Sequence, residues 1–240
     1  MYNRCSSTKA KLTVNKINII IPVYNEADNI GELLNYLLAL NIPAKDIIII
    51  DGGSRDDTME VAKKFDVQLI ESDQKSRAKQ MNAGAKIATQ NILYFLHADT
   101  YPPKDFLKFI LDAYNNGIES GCFRLKFDFN HWFLNVNAWF TRFNLNRFRF
   151  GDQSLFVSKK VFDRIKGFNE NMILLEDQEI IKRIRRHSKF IVFKSHVTTS
   201  ARKYLKFGVF RLQCMFYYIY TLYALGFSQQ SLVKQYRKLK

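Results

Sequence analysis

Short unbroken apolar runs alternate along this chain with stretches in which apolar residues recur every three or four positions. Ile17 to Val23 and Ile47 to Ile50 are continuous and β-branched, the pattern of strands buried on both faces. Val67 to Ile70 and Ile92 to Leu96 read as two more strands. Between the first two, Ile30, Leu33, Leu34, Leu37 and Leu38 form a stripe at helical spacing that Asn41 and Pro43 stop. Asp57-Thr58 opens a short helix through Phe65, and Ser76 to Ala88 is expected to form the next. Strands alternating with helices predict an α/β fold with a parallel, doubly wound sheet.

Beyond Pro103 the pattern changes. A helix to about Tyr114 precedes Cys122 to Phe129, where polar and apolar residues alternate; a half-exposed strand antiparallel to the others is expected there. His131 to Phe150 carries Trp132, Trp139, Arg142, Arg147 and Arg149, and suits an aromatic platform for sugar or lipid, interleaving with nucleic acid, or a packed irregular helix. Leu155 to Val157 and a helix reaching Ile165 follow. Glu176 and Asp177 then open a helix to about Arg186, at an end where acidic residues also serve as caps. Leu212 to Phe227 is uncharged and aromatic, yet short of the ~20 apolar residues of a membrane span. Basic residues flank it, so it reads as an amphipathic helix in an acidic leaflet or as a cover over the end of the sheet. The expected division is one domain over 1–204 and a helical aromatic and basic extension over 205–240.

Charge narrows the partners. A net charge of +15 over 240 residues points to a nucleotide diphosphate, an acidic membrane surface or nucleic acid. Cys5, Cys122 and Cys214 are too scattered for a zinc site or a disulfide framework, so a reducing compartment is expected. Met1 to Lys16 is polar and basic, which predicts no cleaved signal peptide.

The candidate chemistry sits at strand ends. Asn25-Glu26, Asp51-Gly52 and His97-Ala98-Asp99 each follow an apolar strand, and open α/β sheets bind ligands at that edge. Nucleic-acid binding would explain the charge but not these acidic ends. Asp99 is a hard oxygen ligand suited to Mg²⁺ or Mn²⁺ on a diphosphate. His97 reads equally as a metal ligand or as a buried imidazole. Neither a P-loop nor a dinucleotide glycine fingerprint is present, so phosphate binding falls to the cation with Arg77 or Lys79. Asp177 is the candidate general base, with Glu176 beside it.

In combination these motifs resemble glycosyltransferase family 2, with its GT-A nucleotide-diphosphosugar transferase fold. The likeness covers roughly residues 17–204 and is nearest to a small bacterial branch carrying FLHADT. It implies a nucleotide site at Pro22, Val23, Tyr24 and Glu26 (in IIIPVYNE), at Asp51 and Gly53 (in DGGSRDDT), at Arg77 and Lys79 (in SRAKQMNAG), and at Ala98. His97 replaces the first aspartate of the family's Asp-x-Asp, leaving Asp99 as metal ligand; LEDQEI supplies Glu176 and Asp177 as the catalytic pair. SARKY, with Arg202 near the diphosphate, stands in for the missing Gln-x-x-Arg-Trp element. Gly151, Asp152 and Gln153 are implied to shape the sugar and acceptor pocket. The resemblance implies a single-addition, inverting transfer from a UDP-sugar to an acceptor hydroxyl, aided by Mn²⁺ or Mg²⁺. A lipid-linked acceptor is expected, with the protein cytoplasmic and peripheral on the inner membrane face. The alternatives are a nucleotidyltransferase of the same fold and a non-catalytic nucleotide-sugar binding protein.

Overall fold

The computed structural model describes residues 17–72, 76–149 and 151–239; Cys5 and the Met1 to Lys16 stretch lie outside them. The first half runs β1 (Ile17–Val23), α1 (Ala27–Ala39), β2 (Ile47–Asp51), α2 (Thr58–Ala62), β3 (Gln68–Glu71), α3 (Arg77–Ile87) and β4 (Ile92–Phe95). Next come β5 (Thr100–Tyr101), α4 (Phe106–Asn115), β6 (Ser120–Phe127), α5 (Trp132–Phe140), β7 (Leu155–Ser158) and α6 (Lys159–Arg164). The chain continues through α7 (Glu176–Ile184), β8 (Phe190–Thr199), α8 (Arg202–Phe207), α9 (Val209–Ala224) and α10 (Gln229–Leu239).

Eight strands form one sheet in the order β3-β2-β1-β4-β7-β6-β8-β5. The expected parallel half is present: β1 pairs with β2 and β4, and β2 with β3, all parallel. In the other half β7 runs antiparallel to both neighbours, β4 and β6, while β6 and β8 are parallel. The strand around Cys122 to Phe129 therefore points the same way as β1 and β4, and the reversed strands are β7 and the short β5, which pairs antiparallel with β8. This corrects the expected direction. Alternation reports which face of a strand is buried; it carries no information on the strand's sense. The apolar pattern did not single out β8, whose residues are mostly half-buried and include Lys194 and His196.

The isoleucine runs are unbroken because both faces are covered. Ile19, Ile21, Ile47, Ile49 and Tyr94 share a core with the stripe of α1 and with Phe106 and Ile110 of α4. Ile20, Ile48, Ile50, Leu93 and Phe95 meet Ala78 and Met81 of α3 and Ile180 and Ile184 of α7. Gly84 sets how closely α3 approaches. A Cβ there would stand 2.6 Å from both Ile20 Cγ2 and Ile50 Cδ1. Leu212, Met215 and Ile219 of α9 enter the same core as α1. Among the described residues no helix is long and apolar enough to cross a membrane.

Candidate active site

The loops after β1 and β2 are laced together before any ligand is considered. Asp51 is buried and its Oδ2 accepts the Gly53 and Ser54 N–H groups at 3.0 and 2.9 Å, while the Ser54 hydroxyl donates to Oδ1. Gly53 takes φ +82°, where glycine carries no steric cost. Asn25 donates its N–H to Ser54 Oγ, and its side-chain oxygen accepts from the Arg55 N–H. Buried Gln80 on α3 donates Nε2 to Val23 O at 2.9 Å and Ile50 O at 2.8 Å, tying the two strand ends. The motif around Arg77 contains Gln80, but nothing in the sequence marks this role.

Asp99 does not stand alone. Arg202, the first residue of α8, donates Nη2 to both Glu26 carboxylate oxygens at 2.5 and 2.6 Å and lies 3.1 Å from Asp99 Oδ2. Burial works to lower the Arg202 pKa, but Glu26 and Asp99 outweigh it and raise it. Three residues expected at the nucleotide and metal thus form one ionic cluster, closed across 176 positions of sequence.

A second cluster lies around His97. Its Nδ1 is 3.0 Å from Asp152 Oδ1. Gly151 fits between His97 and Asp177: a Cβ there would lie 2.9 Å from His97 Cε1 and 3.0 Å from Asp177 Oδ2. Asp177 also accepts the Gln178 N–H at 2.8 Å. Arg77 Nη1, at the start of α3, is 3.8 Å from Oε1 of buried Glu176 at the start of α7. Burial opposes the Arg77 charge, yet Glu176, Asp152, Asp177 and Asp99 together raise its pKa. The two aspartates beside His97 shift in opposite directions. Burial, then the Glu176 charge, push Asp177 up to about 7, against the Gln178 N–H, His97 and Arg77. Burial acts the same way on Asp152, but the His97 hydrogen bond and charge, with Lys203 and Arg77, hold it well below the usual carboxylate range.

The C-terminal helices approach these groups. Burial and the Asp152 charge raise the pKa of Tyr204 on α8; burial, Glu179 and Asp177 raise that of Tyr223 on α9. Tyr236 on α10 lies within electrostatic reach of Arg77. Gln229 Oε1 accepts the Ile173 and Leu174 N–H groups at 3.0 Å each, fixing the loop that delivers Leu175, at φ +64°, and Asp177. Sequence reasoning missed these three tyrosines as neighbours of the site, because they come from three successive helices and nothing in their spacing marks them.

Not every expected residue reaches the cluster through its side chain. Val23 and Ala98 are in the core, and Gln153 is buried with Nε2 donating to Phe123 O at 3.0 Å. Pro22, Tyr24 and Lys79 are half-buried beside the loops just described. Among the described residues no hydrogen bond or ion pair joins His97 to Asp99, and no three His, Cys, Asp or Glu side chains gather as a metal-holding set.

The model of glycosyl transferase family 2 matches residues 18–168. Glycosyltransferase AglE of Haloferax volcanii is 34% identical over 100 residues, covering 38% of this chain and 33% of AglE. The poly-β-1,6-N-acetyl-D-glucosamine synthase of Staphylococcus epidermidis is 28% identical over 126 residues, covering 50% of this chain and 31% of the synthase. The matches thus span about a third of the length of these relatives. Among solved structures, the mannosyltransferase PcManGT from Pyrobaculum calidifontis in complex with GDP-Man and Mn²⁺ superposes with a TM-score of 0.68 at 17% identity, over 85% of this chain and 62% of that one. S. aureus TarS 1–349 in complex with UDP-GlcNAc gives a TM-score of 0.61 at 17% identity, over 77% of this chain and 58% of that one. At such identities the likeness speaks for the fold, which is GT-A. The family match, running from β1 into the turn after α6 and spanning more than half the residues, identifies the chain as a member of glycosyltransferase family 2.

Proposed function

We propose that the protein moves a sugar from a nucleotide-diphosphate donor, UDP-linked in the first instance, to an acceptor hydroxyl with inversion at the anomeric carbon. The observation that carries this reading is Arg77, 3.8 Å from Glu176 and within electrostatic reach of Asp152, Asp177 and Asp99. Asp177, with a pKa near 7, takes the proton of the acceptor hydroxyl. The hydroxyl oxygen then bonds to the anomeric carbon as the bond to the diphosphate oxygen breaks. Arg77 and Arg202 meet the charge that develops on the departing diphosphate. His97 holds Asp152 in place and, across Gly151, limits where the Asp177 carboxylate can sit.

The donor set also fits a divalent cation that arrives with the nucleotide. Mg²⁺ and Mn²⁺ at phosphates need only one or two protein carboxylates. Asp99 offers one, with Arg202 as its partner. When bound, such an ion would neutralise diphosphate charge. That PcManGT is seen with GDP-Man and Mn²⁺, and TarS with UDP-GlcNAc, supports a nucleotide-sugar donor and a divalent ion. The basic and aromatic character of the C-terminal helices supports a lipid-linked acceptor and a peripheral place on the inner membrane face.

Calorimetric titration of UDP and GDP, with and without Mn²⁺, into the wild type and Asp99→Ala tests the donor site. Nucleotide binding that strengthens with Mn²⁺ and loses that gain in the variant is expected. A folded protein that binds neither nucleotide would overturn the reading. Turnover of a bound donor with release of nucleoside diphosphate, rather than pyrophosphate, separates sugar transfer from nucleotidyl transfer.

A further inference from the structure

Helix α5 carries its apolar face outward. Trp132, Val136, Trp139, Phe140 and, just past its end, Phe143 recur at the spacing of one helix face, and all five are exposed. Trp132 is 66% and Trp139 46% exposed, while Leu134 is the buried residue of the helix. The Thr141 hydroxyl oxygen, accepting the Leu125 N–H at 3.0 Å, anchors the end of the helix to β6. Phe210 of α9 extends the stripe, with ring centroids 4.7 Å from Phe133 and 6.0 Å from Trp132. Tyr217 and Tyr218 are exposed on the same helix. Single exposed apolar residues are ordinary, but a connected patch marks an interaction surface.

A cationic groove borders that patch. Arg124, Lys126, Trp139, Arg142 and His196 line a cavity of about 350 Å³ where α5 meets β6 and β8, and no acidic residue lines it. The Arg142 guanidinium stacks 4.2 Å from the Trp139 ring centre, so one tryptophan serves both stripe and groove. Among the described residues Arg124 Nε is buried with no hydrogen-bond partner, so no protein acceptor there competes for this guanidinium. The charge pattern extends well beyond the groove. No Asp or Glu occurs between Asp128 and Asp152 or after Glu179, whereas fourteen Lys and Arg residues follow Glu179.

We propose that this face docks the protein on an anionic lipid surface, with the α5 stripe entering the boundary between headgroups and acyl chains and the Arg124, Lys126 and Arg142 groove taking a headgroup phosphate. Tryptophan and phenylalanine with aliphatic Val136 on one helix face, and cations at its side, are what an interfacial helix requires. A protein partner would need an acidic rim around an apolar centre; a leaflet of acidic phospholipid supplies both at once. The proposal goes beyond the transfer reaction and does not depend on it. It places the membrane contact on α5, with α9 at its border, rather than on the C-terminal helices alone.

Trp132 and Trp139 are the two tryptophans of the chain, so the intrinsic fluorescence of the full-length protein reports this face. Vesicles of phosphatidylcholine are compared with vesicles carrying about a quarter phosphatidylglycerol, each with and without brominated chains. The expected result is a blue shift and bromine quenching with the anionic vesicles, suppressed by salt. Arg124→Gln and Arg142→Gln, checked for native circular dichroism, should each weaken partitioning about fivefold. Vesicle binding without a tryptophan response would overturn the proposal in favour of contact through the C-terminal helices. So would a folded protein that ignores both vesicle types. Inorganic phosphate is titrated in parallel, and saturation by it with no vesicle response would leave only a free-anion groove.

Discussion

Replacing Asp177 by Asn removes a titrating proton while keeping an oxygen for the Gln178 N–H to donate to. Burial and the Glu176 charge raise the aspartate from 3.8 to about 7. Between those values the native state holds a proton that the unfolded chain has released. The stabilisation is therefore complete below about 3.8 and is lost as pH rises through about 7. Three units correspond to a ceiling of about 4 kcal/mol, and water access to this partly exposed carboxyl brings the figure to about 2 kcal/mol. Asparagine carries no such penalty. Urea unfolding of both proteins from pH 5 to pH 8, which spans about two of the three units, should show the variant gaining about 1 kcal/mol on the wild type as pH rises. Turnover should move the opposite way, falling about 10²- to 10⁴-fold with nucleotide binding unchanged. In the wild type, kcat/KM should climb through about pH 7, where the base loses its proton. Parallel stability profiles for the two proteins would refute the reasoning, since they would mean Asp177 is already ionised when folded.

Gly151→Ala inserts a methyl 2.9 Å from His97 Cε1 and 3.0 Å from Asp177 Oδ2, so both groups must shift. Misplacement of this size costs about a hundredfold in turnover, and an unchanged rate would show that their spacing is not used. Gln80→Leu strips a donor from the Val23 and Ile50 carbonyls and should cost about 1–3 kcal/mol in a denaturant melt. Arg202→Gln frees the Glu26 and Asp99 carboxylates, so Mn²⁺ alone, followed by its paramagnetic signal, should bind more tightly while nucleotide binds more weakly. Equal weakening of both would place Arg202 outside the diphosphate contact.

The parallel half of the sheet was legible because Ile17 to Val23 and Ile47 to Ile50 are each buried on two faces, which leaves Asn18 as the one polar position within them. The other half was harder. β6 alternates as a strand should, yet its sense depends on the route of the chain through α5 and β7. β8 hides its strand character behind half-exposed positions. At the site, the acidic strand ends and the start of α7 stand out in the sequence as charge where apolar runs stop. Partnerships do not stand out: nothing near Glu26 marks Arg202 as its mate, and nothing near Arg77 marks Tyr236 as its neighbour. Such pairs depend on how α8 and α10 pack with α9 and the loop before α7, and periodicity is blind to that.

His97 occupies the place of the first aspartate in the family's Asp-x-Asp pattern. Asp99, Asp152, Glu176 and Asp177 already act together on Arg77, so a fifth carboxylate would add repulsion among them. An imidazole adds none and gives Asp152 a hydrogen-bond partner at 3.0 Å. It also acts on Asp177 in the lowering direction. One aspartate is thereby kept ionised while its neighbour holds a proton near neutrality, the separation that acid and base roles require. His97→Asp replaces that lowering influence on Asp177 with a like charge. Its pKa should rise by about one unit, moving the ascending limb of kcat/KM to higher pH and lowering the rate near neutrality several-fold. Raising the pH should restore that rate, which a misfolded or ligand-starved site would not do. An ascending limb that stays near pH 7 in His97→Asp would show that the imidazole has no part in setting the base.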